Sequence, residues 1–84
     1  MDDIQIIVLV SGTILISRIA VVVSELGEPD CKLINPYQIF DRKLTPWLHE
    51  LTDSTDAIMI SSDKILTLVD PKQQLLNDYL TLTK

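Results

Sequence analysis

The chain has 84 residues, 46% of them hydrophobic, and a formal net charge of −5. That length fits a single domain spanning residues 1–84 with a modest core, and the acidic balance disfavours electrostatic attraction to nucleic acid. Cys31 is the only cysteine; this excludes an internal disulfide and a Cys-x-x-Cys metal or redox motif, and makes a reducing cytoplasm the default location.

Residues 4–23 decide how the rest is read. Only Gln5, Ser11, Gly12, Thr13, Ser17 and Arg18 in this stretch are not apolar, so its length would suit a membrane helix. Ile and Val dominate it, however, and their branched Cβ favours a pleated strand. Ser11-Gly12-Thr13 is a central turn signal, with Gly12 as the turn glycine, and Arg18 would lie inside the hydrocarbon at a cost of about 2.5–3.5 kcal/mol. Asp2 and Asp3 occupy the place of a signal peptide's basic region. The reading is two strands, over about 4–10 and 13–25, the second strongly bent. Both faces are apolar: Ile4, Ile6, Val8 and Val10 on one, Ile7 and Leu9 beside Gln5 on the other. So much apolar surface in a small chain predicts subunit contacts.

Leu26 to Asp30 forms the next turn, and a third strand covers about 31–40, interrupted at Asn35-Pro36, where Pro36 cannot donate a ladder hydrogen bond and an edge, a bulge or the strand's end is expected. After the charged turn Asp41-Arg42-Lys43, the spacing of Leu44, Trp47, Leu48 and Leu51 predicts a short helical turn, with Thr45 as N-cap and Pro46 at the first helical position, or an ordered loop whose Trp47 caps one end of the core. Residues 51–56 read as a polar link. Two further strands, about 57–60 and 65–69, flank Ser61-Ser62-Asp63-Lys64. A helix over about 71–81 follows, opened by Asp70-Pro71-Lys72-Gln73 in the manner of a capping box, with Leu75, Leu76, Tyr79 and Leu80 on its apolar face.

Five strands of this kind describe a small, partly open barrel. Ile7-Val8-Leu9-Val10-Ser11-Gly12 followed by Ile14, Ile16 and Ile19, together with Met59-Ile60-Ser61-Ser62-Asp63-Lys64-Ile65-Leu66-Thr67-Leu68, resembles the two motifs of the Sm-like proteins over about residues 4–69. Lys32 to Ile39 and the segment from Pro71 to Tyr79 are similar to small Sm-like proteins associated with marine cyanophages. The resemblance implies a mainly β fold, a five-stranded, strongly bent Sm-like open barrel with a short C-terminal α-helix, assembled edge to edge into a homo-oligomeric ring of five or six subunits, in the host cytoplasm if phage-encoded. It also implies pocket loops at Glu25, Gly27, Ser61, Ser62, Asp63 and Lys64. The family's RNA pocket needs an Asp-x-x-x-Asn loop and an Arg-Gly pair. Ser61-Ser62 stands at the latter, and the former has carboxylates and no Asn, so RNA is disfavoured.

The remaining chemistry is sparse. His49 is the sole histidine and lacks partners for a metal site; Asp53 and Asp56 fit a solvated turn better than acid–base work. No nucleophile–base–orienter set can be assembled, so neither catalysis nor a cofactor is expected. Arg18, Tyr37, Trp47 and Tyr79 are the candidate interface residues. The leading reading is a non-enzymatic, ring-forming Sm-like scaffold or binding protein; an RNA-binding ring with an altered pocket and a single-span membrane protein are the alternatives.

Overall fold

A computed structural model describes residues 3–23, 25–53 and 57–83. Six strands, β1 (Asp3–Leu9), β2 (Ile14–Val21), β3 (Cys31–Phe40), β4 (Lys43–Pro46), β5 (Ala57–Ile60) and β6 (Ile65–Val69), precede one helix, α1 (Gln73–Leu82). The membrane alternative fails on its own stretch: residues 4–23 fold as β1 and β2, and no helix among the described residues is long and apolar enough to cross a bilayer. The turn between them carries Gly12 at φ +93°, closed by the Gly12 amide donating to the Leu9 carbonyl over 2.9 Å. That backbone region suits glycine.

The strands form one antiparallel sheet in the order β4-β3-β2-β1-β6, with β5 pairing the first half of β3. β3 is long enough to carry two partners on one edge: Tyr37–Phe40 pair β4, and Cys31–Ile34 pair β5. Among the described residues no ladder joins β6 to β4 or β5. The sheet therefore has free edges and is not closed. This corrects the five-stranded Sm-like barrel, because a barrel exists only when its last strand pairs back onto the sheet.

Alternation along β1 and β2 sorts the apolar residues between two faces. Ile7 stands opposite Leu15, and both join Leu9 and Leu33 in a core flanked by Ile19, Trp47, Ile60 and Ile65. Fully burying one such aliphatic side chain contributes about 1.5–3 kcal/mol. Ile6 and Ile16 face the other way, and there α1 supplies the cover. Tyr37 pairs with Ile16 in the β2–β3 register, and its ring meets Tyr79 of α1 edge-on, with centroids 5.8 Å apart.

Tyr79, the buried residue of α1, is anchored at a register slip between Ile16 and Arg18. Its hydroxyl donates toward the carbonyls of Ile34 (3.0 Å) and Asn35 (2.9 Å) and accepts the Arg18 amide at 3.3 Å. Asn35 is at φ +53°, a left-handed kink that Asn tolerates. β3 continues through Asn35-Pro36 by the bulge expected there, three steps from Ile34 to Tyr37 facing two from Arg18 to Ile16, and the kink presents the Asn35 carbonyl to Tyr79. Buried Ser17 shares the arrangement, donating to the Arg18 and Ile34 carbonyls.

Other expectations change as well. Lys43–Pro46 is a strand rather than the start of a helical turn, since a two-residue hairpin with Asp41 at φ +53° and Arg42 at φ +62° returns the chain along β3. The second strand ends at Val21, short of residue 25. The expected capping box does not form: α1 starts at Gln73, its N-cap Lys72 has no side-chain cap bond, and the Asp70 carboxylate instead accepts a bond from the Gln5 side-chain Nε2 over 2.9 Å. Asp56 lies outside the described residues.

Candidate interaction surface

Four of the six loop residues singled out in the sequence lie together, and Glu25 and Lys64 lie outside that group. Gly27, Ser61, Ser62 and Asp63 line one small polar cleft of about 210 Å³ together with Glu28 and Asp30. Asp30 organises it. One of its carboxylate oxygens accepts the Ser62 amide and the other the Ser62 hydroxyl, both at 2.7 Å. These two bonds, the side-chain one foremost, hold the Asp30 carboxyl below its ordinary range. They fix the β2–β3 loop to the single 3₁₀ turn Ser62–Lys64 that leads into β6.

Glu25 stands at the tip of the same loop, where its carbonyl accepts the Glu28 amide across the turn that holds Gly27 at φ +88°. The Lys64 carbonyl accepts the Val10 amide, so Lys64 belongs to the frame of the β5–β6 connection. No group of three or more His, Cys, Asp or Glu suited to a metal ion occurs among the described residues.

Ser62 also forms the polar end of a second, larger hollow of about 440 Å³, walled by Ile19, Val21 and Cys31 on one side and by Leu66 and Leu68 of β6 on the other. Burial, with the neighbouring Asp30 charge second, raises the Cys31 thiol pKa, so the free thiol is un-ionised and forms part of the apolar wall. Among the described residues only one edge of β6 is paired, to β1. Its exposed side chains include Leu66 at 68% and Leu68 at 46%. The β1–β6 register slips between Val8 and Leu9, leaving Leu66 without an opposite residue.

The free edges differ in chemistry. β4 contains Lys43 and Pro46, both of which discourage further strand pairing. β5, Ala57-Ile58-Met59-Ile60, and β6, Ile65-Leu66-Thr67-Leu68-Val69, contain neither charge nor proline, and β6 is the longer of the two. The sequence of β6 reads nearly the same in both directions about Thr67, a signal present in the sequence that carries no meaning until the strand is known to be an edge.

The candidate interface residues scatter. Tyr79 and Tyr37 hold α1 to the sheet, and Trp47 packs against the core while its amide donates to the Pro36 carbonyl. Arg18 contributes its backbone amide to the Tyr79 anchor. His49 Nδ1 is 2.8 Å from the Pro46 carbonyl in an exposed loop, far in sequence from the polar cleft.

Taken together, this is an open, mainly β domain with one C-terminal helix and, among the described residues, two unpaired apolar edges, on β6 and on the shorter β5. The chain belongs to a family of unknown function (DUF6561), whose model matches residues 2–84. A comparison with curated proteins gives no match. The family assignment and the open sheet overturn the Sm-like resemblance, and with it the Sm-like ring, the RNA pocket and the cyanophage connection.

Proposed function

We propose that the domain is a non-catalytic self-association module that pairs with a second copy through β6. The observation that carries this reading is the unblunted edge: five residues without charge or proline, with leucines exposed on it. An unpaired edge presents a row of free N–H and C=O groups, and its natural complement is another strand. Antiparallel pairing about Thr67 sets Leu66 of one copy against Leu68 of the other, so one patch serves both partners as two-fold symmetry requires. The two apolar hollows then meet along the joined edge, which removes Leu66 and Leu68 from water. The free Cys31 thiol supports placing the module in the reducing cytoplasm.

Hydrogen exchange at the β6 amides provides the test. Protection of the outward-facing amides in residues 65–69 is expected to rise with protein concentration while the core of β2 stays constant. Exchange in β6 that ignores concentration over the whole accessible range would refute the reading.

A further inference from the structure

A second surface, separate from β6, pairs an apolar, acidic finger with an apolar, basic cleft. The finger is the loop between β2 and β3. Its base is closed by the Val22 amide donating to the Asp30 carbonyl at 2.9 Å, and its tip by the Glu28 amide donating to the Glu25 carbonyl at 3.0 Å. This framed loop holds Val23 and Leu26 completely in solvent, at 105% relative exposure each. Both are flanked by the exposed carboxylates Glu25 and Glu28.

The cleft lies at the other end of β3, between the β3–β4 hairpin and α1, and has a volume of about 550 Å³. Leu44 and Leu82 give it apolar walls, Arg42 and Lys43 stand at the hairpin, and Asp78 lies on the helix side. Phe40, 76% exposed, pairs with Lys43 beside it. Among the described residues neither cation has a carboxylate within 4 Å, and neither Glu25 nor Glu28 has a cation within that distance.

From this complementarity we infer that the finger of one copy docks in the cleft of another, Val23 and Leu26 entering between Leu44 and Leu82, and Glu25 and Glu28 meeting Arg42 and Lys43. The contact joins different molecules. The ten residues of β3 separate finger from cleft, about 30 Å of strand at its usual rise, so the loop does not reach its own cleft. The contact is heterologous and leaves β6 free, so it holds or fails independently of the edge pairing.

The test uses full-length chains carrying Leu66→Lys, which removes β6 pairing from the readout, in sedimentation equilibrium at low and high salt. The Leu66→Lys chain is expected to self-associate weakly, and less so as salt rises. Adding Glu28→Arg or Arg42→Glu should weaken that association about tenfold, while a mixture of the two variants, or the double variant, should restore it. All three positions are exposed, and an unchanged thermal midpoint verifies that each variant folds. A strictly monomeric Leu66→Lys chain, single variants without effect, or a mixture no tighter than its components would each overturn the finger. An unchanged mass of the wild-type chain on introducing Leu66→Lys would instead count against the β6 reading alone.

Discussion

Tyr79→Phe isolates the contact that holds the helix to the sheet. The substitution keeps the ring, hence the edge-on packing against Tyr37, and deletes only the hydroxyl. Ile34's carbonyl retains a partner, because Ser17 also donates to it at 3.1 Å. The Asn35 carbonyl and the Arg18 amide lose the Tyr79 oxygen, which bonded them at 2.9 and 3.3 Å. A buried polar group left unsatisfied costs about 1–3 kcal/mol. The Arg18 bond is long, so its share sits at the lower end and the expected total is about 2 kcal/mol.

At about 0.05–0.15 kcal/mol per residue, a domain of this size has a total stability of roughly 4–13 kcal/mol. The loss is thus a large fraction and should lower the thermal midpoint by about 10 °C. Urea unfolding followed by Trp47 fluorescence, at one fixed protein concentration because association also stabilises, reads it directly. A difference below about 0.5 kcal/mol would show that the hydroxyl's bonds are exchanged for water at no net cost, and would refute the anchor.

Burial raises the Tyr79 phenol pKa above its ordinary value of 10.0, so the folded chain holds that proton more tightly than the unfolded one. This contribution is complete below the unfolded pKa and is lost as pH rises through the folded one; the stability gap between wild type and Tyr79→Phe should therefore narrow above about pH 10 in urea titrations. Asp30 has the opposite sign: its carboxyl is held down by Ser62, so the clamp persists above the ordinary carboxylate value and releases as pH falls through the lowered one. The Ser62 amide resonance should move with a midpoint below that ordinary value, and Asp30→Ala should abolish the movement. Gly12→Val is expected to cost about 1–3 kcal/mol through backbone strain alone, since nothing lies within 4 Å of the position a Cβ would occupy; thermal melting should show a folded but weakened chain, milder than the crippled folding a crowded turn would give.

Short-range features were legible in the sequence because local chemistry dictates them. Ile and Val runs divided by Ser11-Gly12-Thr13 gave β1, the turn and β2, and the Leu75, Leu76, Tyr79 pattern gave α1. Pairing was not legible. β4 was missed because Thr45-Pro46 also carries a helix-start pattern, and only hairpin geometry at Asp41 and Arg42 decides between the two. The two-faced apolar strands pointed to subunit contacts, but α1 covers part of the second face, through a tyrosine whose backbone partners no periodicity reveals. Whether the sheet closes depends on whether β6 meets another strand, a long-range event without a local signature. Four residues of the two loops that the Sm-like resemblance pointed to line one polar cleft, but Asp30, its organising residue, carries no local signal beyond that of a turn aspartate.

The central claim is that β6 joins two copies, and native mass by light scattering after gel filtration tests it most directly. The account predicts a two-copy species for the wild-type chain in dilute solution and a lower mass for Leu66→Lys at the same concentration. A wild-type chain that stays monomeric, or a Leu66→Lys chain of unchanged mass, would contradict it.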